Sequence, residues 1–343
     1  MGKKFDVVIG NPPYQEDAQG DSNRSEPIYN KFMDAAYEVG TKVVLITPAR
    51  FLTRAGQTPK AWNEKMLADS HLTVAHFQQD SSLLFPGTDI KGGIAVTYRD
   101  EDREIGPIGT FTPHNEINDL LAKTRHEASL MPIVSSTGLY RFSKKAMGTV
   151  PLIAQVQGAG TGAKITSTSV TALVGHVFFD DIPGESGDHV QIIGISRGRR
   201  VRRWVRRDYL EPQASLGKWK VVIAKANNSG AFGETLAGPF VGDPNLAHTD
   251  SFMSVGAFDS EAEATAVLAY LKTKFSRALL SVLKTTQDNP KGKWKHVPLQ
   301  DFTARSDIDW TKPIPEIDQQ LYAKYGLAQA EIDFIESHVK PMS

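Results

Sequence analysis

Residues 5–14 read Phe-Asp-Val-Val-Ile-Gly-Asn-Pro-Pro-Tyr, an apolar run that passes straight into an Asn-Pro-Pro-Tyr corner. The run predicts a buried strand over Phe5–Gly10, and the corner decides what that strand carries. The Asn11 side-chain oxygen is one hydrogen-bond acceptor at the strand end, and the Pro12 carbonyl is a second. Proline suits the second place because its ring fixes φ and removes the competing N–H, which presets the carbonyl direction. Tyr14 adds an aromatic face for stacking. Two fixed acceptors beside such a face suit an aromatic amine like that of adenine. Its lone pair is delocalised into the ring and must be drawn back onto nitrogen before it can attack. Fixed dipoles aimed at that nitrogen do this without a carboxylate base. The plainer reading of the same residues is a Pro-Pro turn that ends a strand.

Working outward, the first hundred residues alternate strand and helix. Ser25-Glu26-Pro27 reads as a capped helix start leading into Ile28–Glu38. Strands are expected at Lys42–Thr47, Leu72–Gln78 and Gly93–Arg99, with a helix from Thr58-Pro59 to Ala68. This alternation predicts a doubly wound α/β sheet, which carries ligands at the carboxyl ends of its strands. The chain begins four residues before its first strand, so the corner reads as the opening edge of the second half of a nucleotide-binding sheet. Beyond about Gly109 the texture changes to short β-type runs (Val170–Asp180, His189–Ile195, Trp219–Ala224) between Gly/Ser/Thr-rich turns. A capping box at Ser260-Glu261-Ala262-Glu263 opens a long helix expected to reach Lys284. Two tail helices follow, over Pro315–Tyr325 and Ala328–Val339, docked by Ile317, Leu321, Ile332 and Ile335. The expected divisions are 1–113, 114–300 and 301–343.

The 343 residues balance 39 Lys+Arg against 39 Asp+Glu, so nucleic-acid affinity has to come from local clustering of charge. The absence of cysteine excludes disulfides, thiolate zinc sites and cysteine nucleophiles. No signal peptide and no membrane-length apolar run is apparent, and a soluble cytoplasmic protein is expected. The nine histidines show no metal-ligand spacing, so no metal is expected.

With these stretches in view, the chain resembles the gamma-type N6-adenine DNA methyltransferases of type II restriction–modification systems. Phe5–Tyr14 resembles their catalytic motif. Leu84-Phe85-Pro86-Gly87 through Ile94-Ala95-Val96 resembles a later motif, in which a Phe before a two-strand hairpin packs on the extruded base. Asp288-Asn289-Pro290 through Asp301, with Asp318–Tyr322 and Tyr325-Gly326-Leu327, resembles the end of the target-recognition region. The resemblance implies a partial Rossmann-like methyltransferase sheet followed by a mixed α/β target-recognition domain. It implies Asn11 and Pro12 as acceptors for the target amine, and Tyr14 and Phe85 as stacking faces for a flipped adenine. S-adenosyl-L-methionine is the implied cofactor, touched here only by Asn11 and Pro13, and double-stranded DNA is the implied partner. The family's strand–glycine-turn–helix for the cofactor is missing ahead of Asn11. The expectation is therefore a fragment, or a chain completed by a separate cofactor-binding half or restriction subunit. Rival readings are a non-catalytic DNA-specificity subunit and a methyltransferase acting on RNA or protein glutamine.

Gly158-Ala159-Gly160-Thr161-Gly162 imitates a displaced cofactor loop, but Lys164–Ser169 is poor helix material, so no helix N-terminus is expected to receive an anion. The stronger signal is Arg197, Arg199, Arg200, Arg202, Arg203, Arg206 and Arg207, interleaved with Trp204 and Tyr209. Seven such charges repel one another unless an anion lies nearby, and arginine forks suit phosphates and the guanine edge. Lys284, Lys291, Lys293 and Lys295 form a weaker second patch. Both are candidate DNA contacts.

Overall fold

The computed structural model describes residues 3–15, 26–54, 57–88, 90, 92–158, 160–184, 188–226, 228–284 and 286–342. The chain divides into two compact units, Met1–Asn118 and Asp119–Ser343.

The first unit contains β1 (Phe5–Gly10), α1 (Tyr29–Val39), β2 (Gly40–Pro48), α2 (Lys60–Ala68), β3 (Leu72–Gln78) and β4 (Ile94–Asp100). Its sheet has the order β1-β2-β4-β3. β1 and β2 are parallel, with Val8 opposite Val43 and Gly10 opposite Leu45. β4 is antiparallel to both β2 and β3, so β1, β2 and β3 share one direction. The core joins Tyr29 and Met33 of α1 and Trp62, Met66 and Leu67 of α2 to Val43, Leu45, Leu72, Phe77 and Ala95 of the sheet. Both helices thus lie on one sheet face. The reason is topological, because successive right-handed crossovers that step in one direction return on the same side. The winding expected on two faces is one-sided within this unit. On the other face Phe5, Val7 and Ile9 are 56%, 52% and 76% exposed.

The capped helix start expected at Ser25 takes a different form. Ser25 lies outside the described residues, Pro27 bridges to Gln15, and α1 begins at Tyr29. Proline there closes the loop that carries the corner, and the helix waits two residues more.

A third helix, α3 (Asn115–Thr124), carries the division between the units. The second unit continues with α4 (Lys144–Thr149), α5 (Leu152–Val156), α6 (Ser167–Ala172), β5 (His189–Ser196), β6 (Arg199–Arg206), β7 (Trp219–Ala224), β8 (Phe240–Gly242), β9 (Leu246–His248) and β10 (Phe252–Phe258). Helices α7 (Glu261–Lys272), α8 (Lys274–Leu283), α9 (Ile314–Lys324) and α10 (Gln329–His338) complete it. Two three-stranded sheets form, ordered β6-β5-β9 and β10-β7-β8. The strand expected from Val170 is helix α6, because Thr166 caps it by accepting from the Ser169 N–H at 3.0 Å. The long helix expected to Lys284 is two helices. Thr273 ends the first and caps the second, and the buried Asp318 carboxylate accepts from the Lys274 and Phe275 N–H groups at 3.0 and 2.9 Å. Those bonds hold the N-terminus of α8 where a continuous helix would have consumed the same donors. Ile317, Leu321 and Ile335 are buried as the tail docks.

Buried His248 joins the two sheets of this unit at their seam. Its Nδ1 faces the Thr249 carbonyl at 3.0 Å and its Nε2 faces the Ser254 hydroxyl at 3.3 Å, with Tyr140 packed edge-on at 4.9 Å. Burial pushes its pKa down to about 4, with Lys220 acting in the same direction and the Thr249 carbonyl opposing. Burial likewise holds His296 at about 4. The unfolded chain takes up these protons near pH 6.5 and the folded chain does not. Stability from His248 is therefore complete above pH 6.5 and is lost as pH falls from there toward 4, by up to about 3 kcal/mol. Chemical denaturation at pH 7.5 and 4.5 should show a smaller pH-dependent loss in His248→Gln than in the parent. An equal loss would assign the acid sensitivity elsewhere.

Candidate active site

Because β1 and β2 are parallel, the residues leaving their carboxyl ends, 11–14 and 48–50, emerge on the same side of the sheet. Asn11 and Pro13 are exposed there, and Pro12 and Tyr14 are partly buried. The corner is fixed at its far end where the Ile28 N–H donates to the Tyr14 carbonyl at 3.2 Å. Tyr14, Gln15, Pro27, Tyr29, Pro48, Arg50, Gln57 and Ile90 line a cavity of about 120 Å³. An engineered cavity of about 150 Å³ holds benzene, so this one is of aromatic-ring scale. Its lining is amphipathic and includes no carboxylate among the described residues.

Behind the cavity stands an aromatic cluster. Tyr29 meets Trp62 edge-on at 6.2 Å and Phe51 at 6.4 Å, and Phe51 meets Trp62 at 5.4 Å. The indole N–H of Trp62 donates to Asp34 at 3.0 Å, which fixes the ring. Burial raises the Tyr14 phenol above its usual pKa, and the nearby Asn11 side chain partly offsets the rise. The Tyr14 hydroxyl is buried and has no partner of good geometry. Burial also raises Tyr29, against the Thr58 side chain and the Arg50 charge. Both phenols therefore remain protonated, and Tyr14 holds an unused donor.

The β3–β4 connection, which contributes Ile90 to the cavity lining, carries two glycines in the left-handed region. Gly92 and Gly93 have φ of +87° and +78°. A Cβ on Gly93 would lie 2.5 Å from the Gln78 carbonyl, and one on Gly92 would lie 2.9 Å from Arg50 Cγ. The Gly93 carbonyl accepts from the Ala49 N–H at 2.9 Å and so ties the start of β4 to the end of β2. This close approach seats the β3–β4 connection against Arg50.

Phe85 occupies that connection, half-buried, and is not among the residues lining the cavity that Tyr14 lines; Ile90 of the same connection is. Tyr29, Arg50, Gln57 and Ile90 were missed in the sequence. Tyr29 and Arg50 are legible only once the helix start and strand end are known to meet.

In the second unit the glycines at 158–162 do not present an open helix end. Ala159 lies outside the described residues, and α6 starts after Thr166, which already caps it. The arginine run forms β6, and most of its charge is answered internally. Arg203 donates to the Val170 carbonyl at 2.6 Å and pairs with Asp180 at 3.2 Å. Arg206 grips Asp208 through two bonds of 3.0 and 2.8 Å, and Arg206 with Lys145 holds that carboxyl below the usual range. Arg207 pairs with Asp188 and Asn245, and Arg200 donates to the Ala237 and Gly238 carbonyls. Arg202 lies over Phe240 at 5.4 Å. Three of the seven arginines are thus paired with carboxylates of the unit, and Arg200 and Arg202 are held by neutral groups. Lysines of the second patch also have partners within the unit. Lys284 is buried against Glu234, and Lys291 and Lys293 donate to the Pro132 and Leu283 carbonyls, which leaves Lys295 exposed. Among the described residues no cluster of His, Asp or Glu could hold a metal ion, and no helix is long and apolar enough to cross a membrane.

Residues 1–84, which include the whole corner, match the family described as Eco57I restriction-modification methylase. Over 94 residues the chain is 33% identical to an uncharacterized adenine-specific methylase of Mycoplasma pneumoniae (strain ATCC 29342 / M129 / Subtype 1), a match covering 26% of this chain and 22% of that protein. Among solved structures it is similar to the type IIG restriction endonuclease BpuSI (TM-score 0.30, 11% identity, covering 97% of this chain and 54% of that one). It is also similar to the type IIL restriction-modification enzyme MmeI in complex with DNA (TM-score 0.28, 8% identity, covering 97% and 56%). The chain spans about half the length of these structures and matches about a fifth of the curated relative.

Replacing Gly93 with Ala should lower the unfolding midpoint of the first unit. The strained backbone alone costs about 1–3 kcal/mol, and displacing the Gln78 carbonyl adds to it. A thermal melt followed by tryptophan fluorescence checks this through Trp62, and an unchanged melt would show that the turn is not needed.

Proposed function

We propose that this chain carries the target-amine site and the DNA-recognition unit of a DNA adenine-N6 methyltransferase of a restriction–modification system. The carrying observation is the corner Asn11–Tyr14, held at the carboxyl end of a parallel strand beside an aromatic-walled cavity whose described lining includes no carboxylate. The methylase family match of residues 1–84 and the adenine-specific methylase relative support it. In this reading the Asn11 Oδ1 and the Pro12 carbonyl accept the two N–H bonds of the target amine. That concentrates its lone pair on nitrogen and turns it toward the exposed side of the corner. Tyr14 supplies one stacking face, Phe85 is kept as a second, and the unused Tyr14 hydroxyl is a donor at the cavity wall.

S-adenosylmethionine supplies the electrophilic methyl group in this chemistry. In this reading Asn11 and Pro13 would meet its methyl end; the described residues do not fit its nucleoside, because the glycine-rich turn of the second unit leads into a short helix capped by its own threonine. We therefore assign the nucleoside cradle to a polypeptide segment other than those described. The edge of β1, which no strand covers among the described residues, and its exposed Phe5, Val7 and Ile9 support that assignment. Parallel strands are ordinarily covered on both faces. A second reading, a non-catalytic DNA-specificity subunit, draws on the same lack of a cradle among the described residues.

In the completed enzyme, Asn11→Ala removes one of two acceptors on the reacting amine. By analogy with loss of one oxyanion-hole donor, the methylation rate should fall roughly 10²–10³-fold at nearly constant DNA affinity. A near-parental rate in single-turnover assays would sink the assignment of Asn11.

The chain alone should give no calorimetric signal with S-adenosylmethionine and no methyl transfer, and activity should appear when the complementary segment is supplied in cis or in trans. Ile9→Glu should leave the melt of the isolated chain within about 0.5 kcal/mol, as expected of an exposed position, and should block that complementation. Tight cofactor binding by the isolated chain would overturn the split. Failure of every candidate segment to restore transfer would favour the specificity-subunit reading.

A further inference from the structure

The β5–β6 hairpin of the second unit divides its arginines by what they touch. β5 and β6 pair in register from His189 opposite Arg206 to Ser196 opposite Arg199, and two residues, Arg197 and Gly198, make the turn. Their φ values of +49° and +75° are the paired left-handed conformations of the tight hairpin turn whose twist matches its strands. The base of the hairpin is anchored. Val190, Ile192 and Val205 lie in one core, and Ile193 lies in a second with Val222, Leu246 and Phe252. Phe179 and Trp204 exchange two backbone hydrogen bonds of 2.9 and 2.7 Å across the outer edge of β6. Toward the turn no strand covers that edge among the described residues.

The charges follow the same division. Arg200, Arg202, Arg203, Arg206 and Arg207 each touch a carbonyl, a carboxylate, an amide or a ring of the unit itself. Arg197 and Arg199, both exposed and both at the turn, have no partner among the described residues. Opposite Arg199, the Ser196 hydroxyl accepts from Thr171 at 3.1 Å. Two residues before Ser196, Gly194 leaves room for Thr249, whose methyl would lie 2.8 Å from an added Cβ. The hairpin is thus a stiff two-stranded ribbon with two uncommitted guanidinium groups at its end.

We infer that this ribbon end is the duplex-DNA contact of the second unit, with Arg197 and Arg199 as its contacting residues and the other five arginines as the framework that stiffens it. A two-stranded ribbon is of a size that enters the major groove, and free arginine forks match phosphates and the guanine edge. The competing role for charge on an uncovered strand edge is to deter edge-to-edge pairing. The assignment rests on the DNA-binding role proposed above.

Fluorescence anisotropy of the full chain with a mixed-sequence duplex, titrated at several salt concentrations, separates these roles. Replacing Arg197 and Arg199 together with Ala should flatten the log-affinity against log-salt line by about two units and weaken binding roughly 50-fold near 0.1 M salt. The melting temperature should be unchanged. Arg197→Lys with Arg199→Lys should keep most of the slope. Arg203→Ala, which cuts a framework bond, should lower the melting temperature and keep the slope. An unchanged slope in the double Ala variant, with the parent binding DNA, would overturn this assignment and leave Arg197 and Arg199 as edge protection. No duplex binding by the parent chain would overturn the DNA-binding role itself, and this assignment with it.

Discussion

The parallel pairing of β1 with β2 is the constraint on which the first unit depends. Its register, Val8 against Val43 and Ile9 against Val44, brings the two strand ends level, so that Asn11–Tyr14 and Pro48–Arg50 leave the sheet together. A slip of one residue would turn Val8 out of the core and Ile9 into it, because strand side chains alternate. It would also shift the corner along the sheet by about 3.3 Å, away from Tyr29 and Arg50. The cavity is therefore a product of register, and the short turn of Gly92 and Gly93 locks it from the other side by tying β4 to the end of β2. The proposed chemistry needs acceptors held before the substrate arrives, and the corner is held between the end of β1 and the Ile28–Tyr14 hydrogen bond.

The elements that sequence made legible are those whose signal is local. Leu72–Gln78 and Trp219–Ala224 are found with the bounds their apolar runs suggest, because β-type runs between turns leave few other conformations. The capping box at Ser260 forms as written. One departure from the expected elements comes from a distant contact and another from a local cap. Asp318, more than forty residues downstream, supplies the carboxylate that divides α7 from α8. Thr166 converts a serine- and threonine-rich stretch of weak intrinsic preference into a helix. At the site, Asn11 and Tyr14 were legible because the motif is contiguous. Tyr29, Arg50 and Ile90 come from three separate segments, and nothing local marks them as neighbours.

Charge gives the clearest case of a composition signal refined by geometry. A run of seven arginines in a chain of zero net charge draws attention to an outside anion. The fold shows that carbonyls and rings, as well as carboxylates, take up guanidinium groups, since the group offers five donors in a plane and a stacking face. Counting arginines overstates a surface, and counting the unanswered ones reduces it to a turn. Lys284 shows the same effect, because its ammonium is spent on Glu234 inside the unit.

The exposed side of β1 has an energetic meaning that the strand order alone does not convey. Phe5, Val7 and Ile9 alternate along an outermost strand that has neither a bulge nor an internal proline to blunt its edge. Such an edge invites pairing with any other chain. Fully burying a side chain of this kind from full exposure contributes about 1.5–3 kcal/mol, so covering these three, already partly buried, would contribute roughly 3–5 kcal/mol before ordering costs. That is a sizeable share of the stability of an ordinary domain, about 5–15 kcal/mol. A covering segment would thus complete the folding of the first unit while it brought a methyl donor to the corner. The two effects would be linked, since whatever binds only the assembled state also stabilises it. In the proposed reading, cofactor, covering segment and sheet would then hold one another in place beside the exposed Asn11 and Pro13.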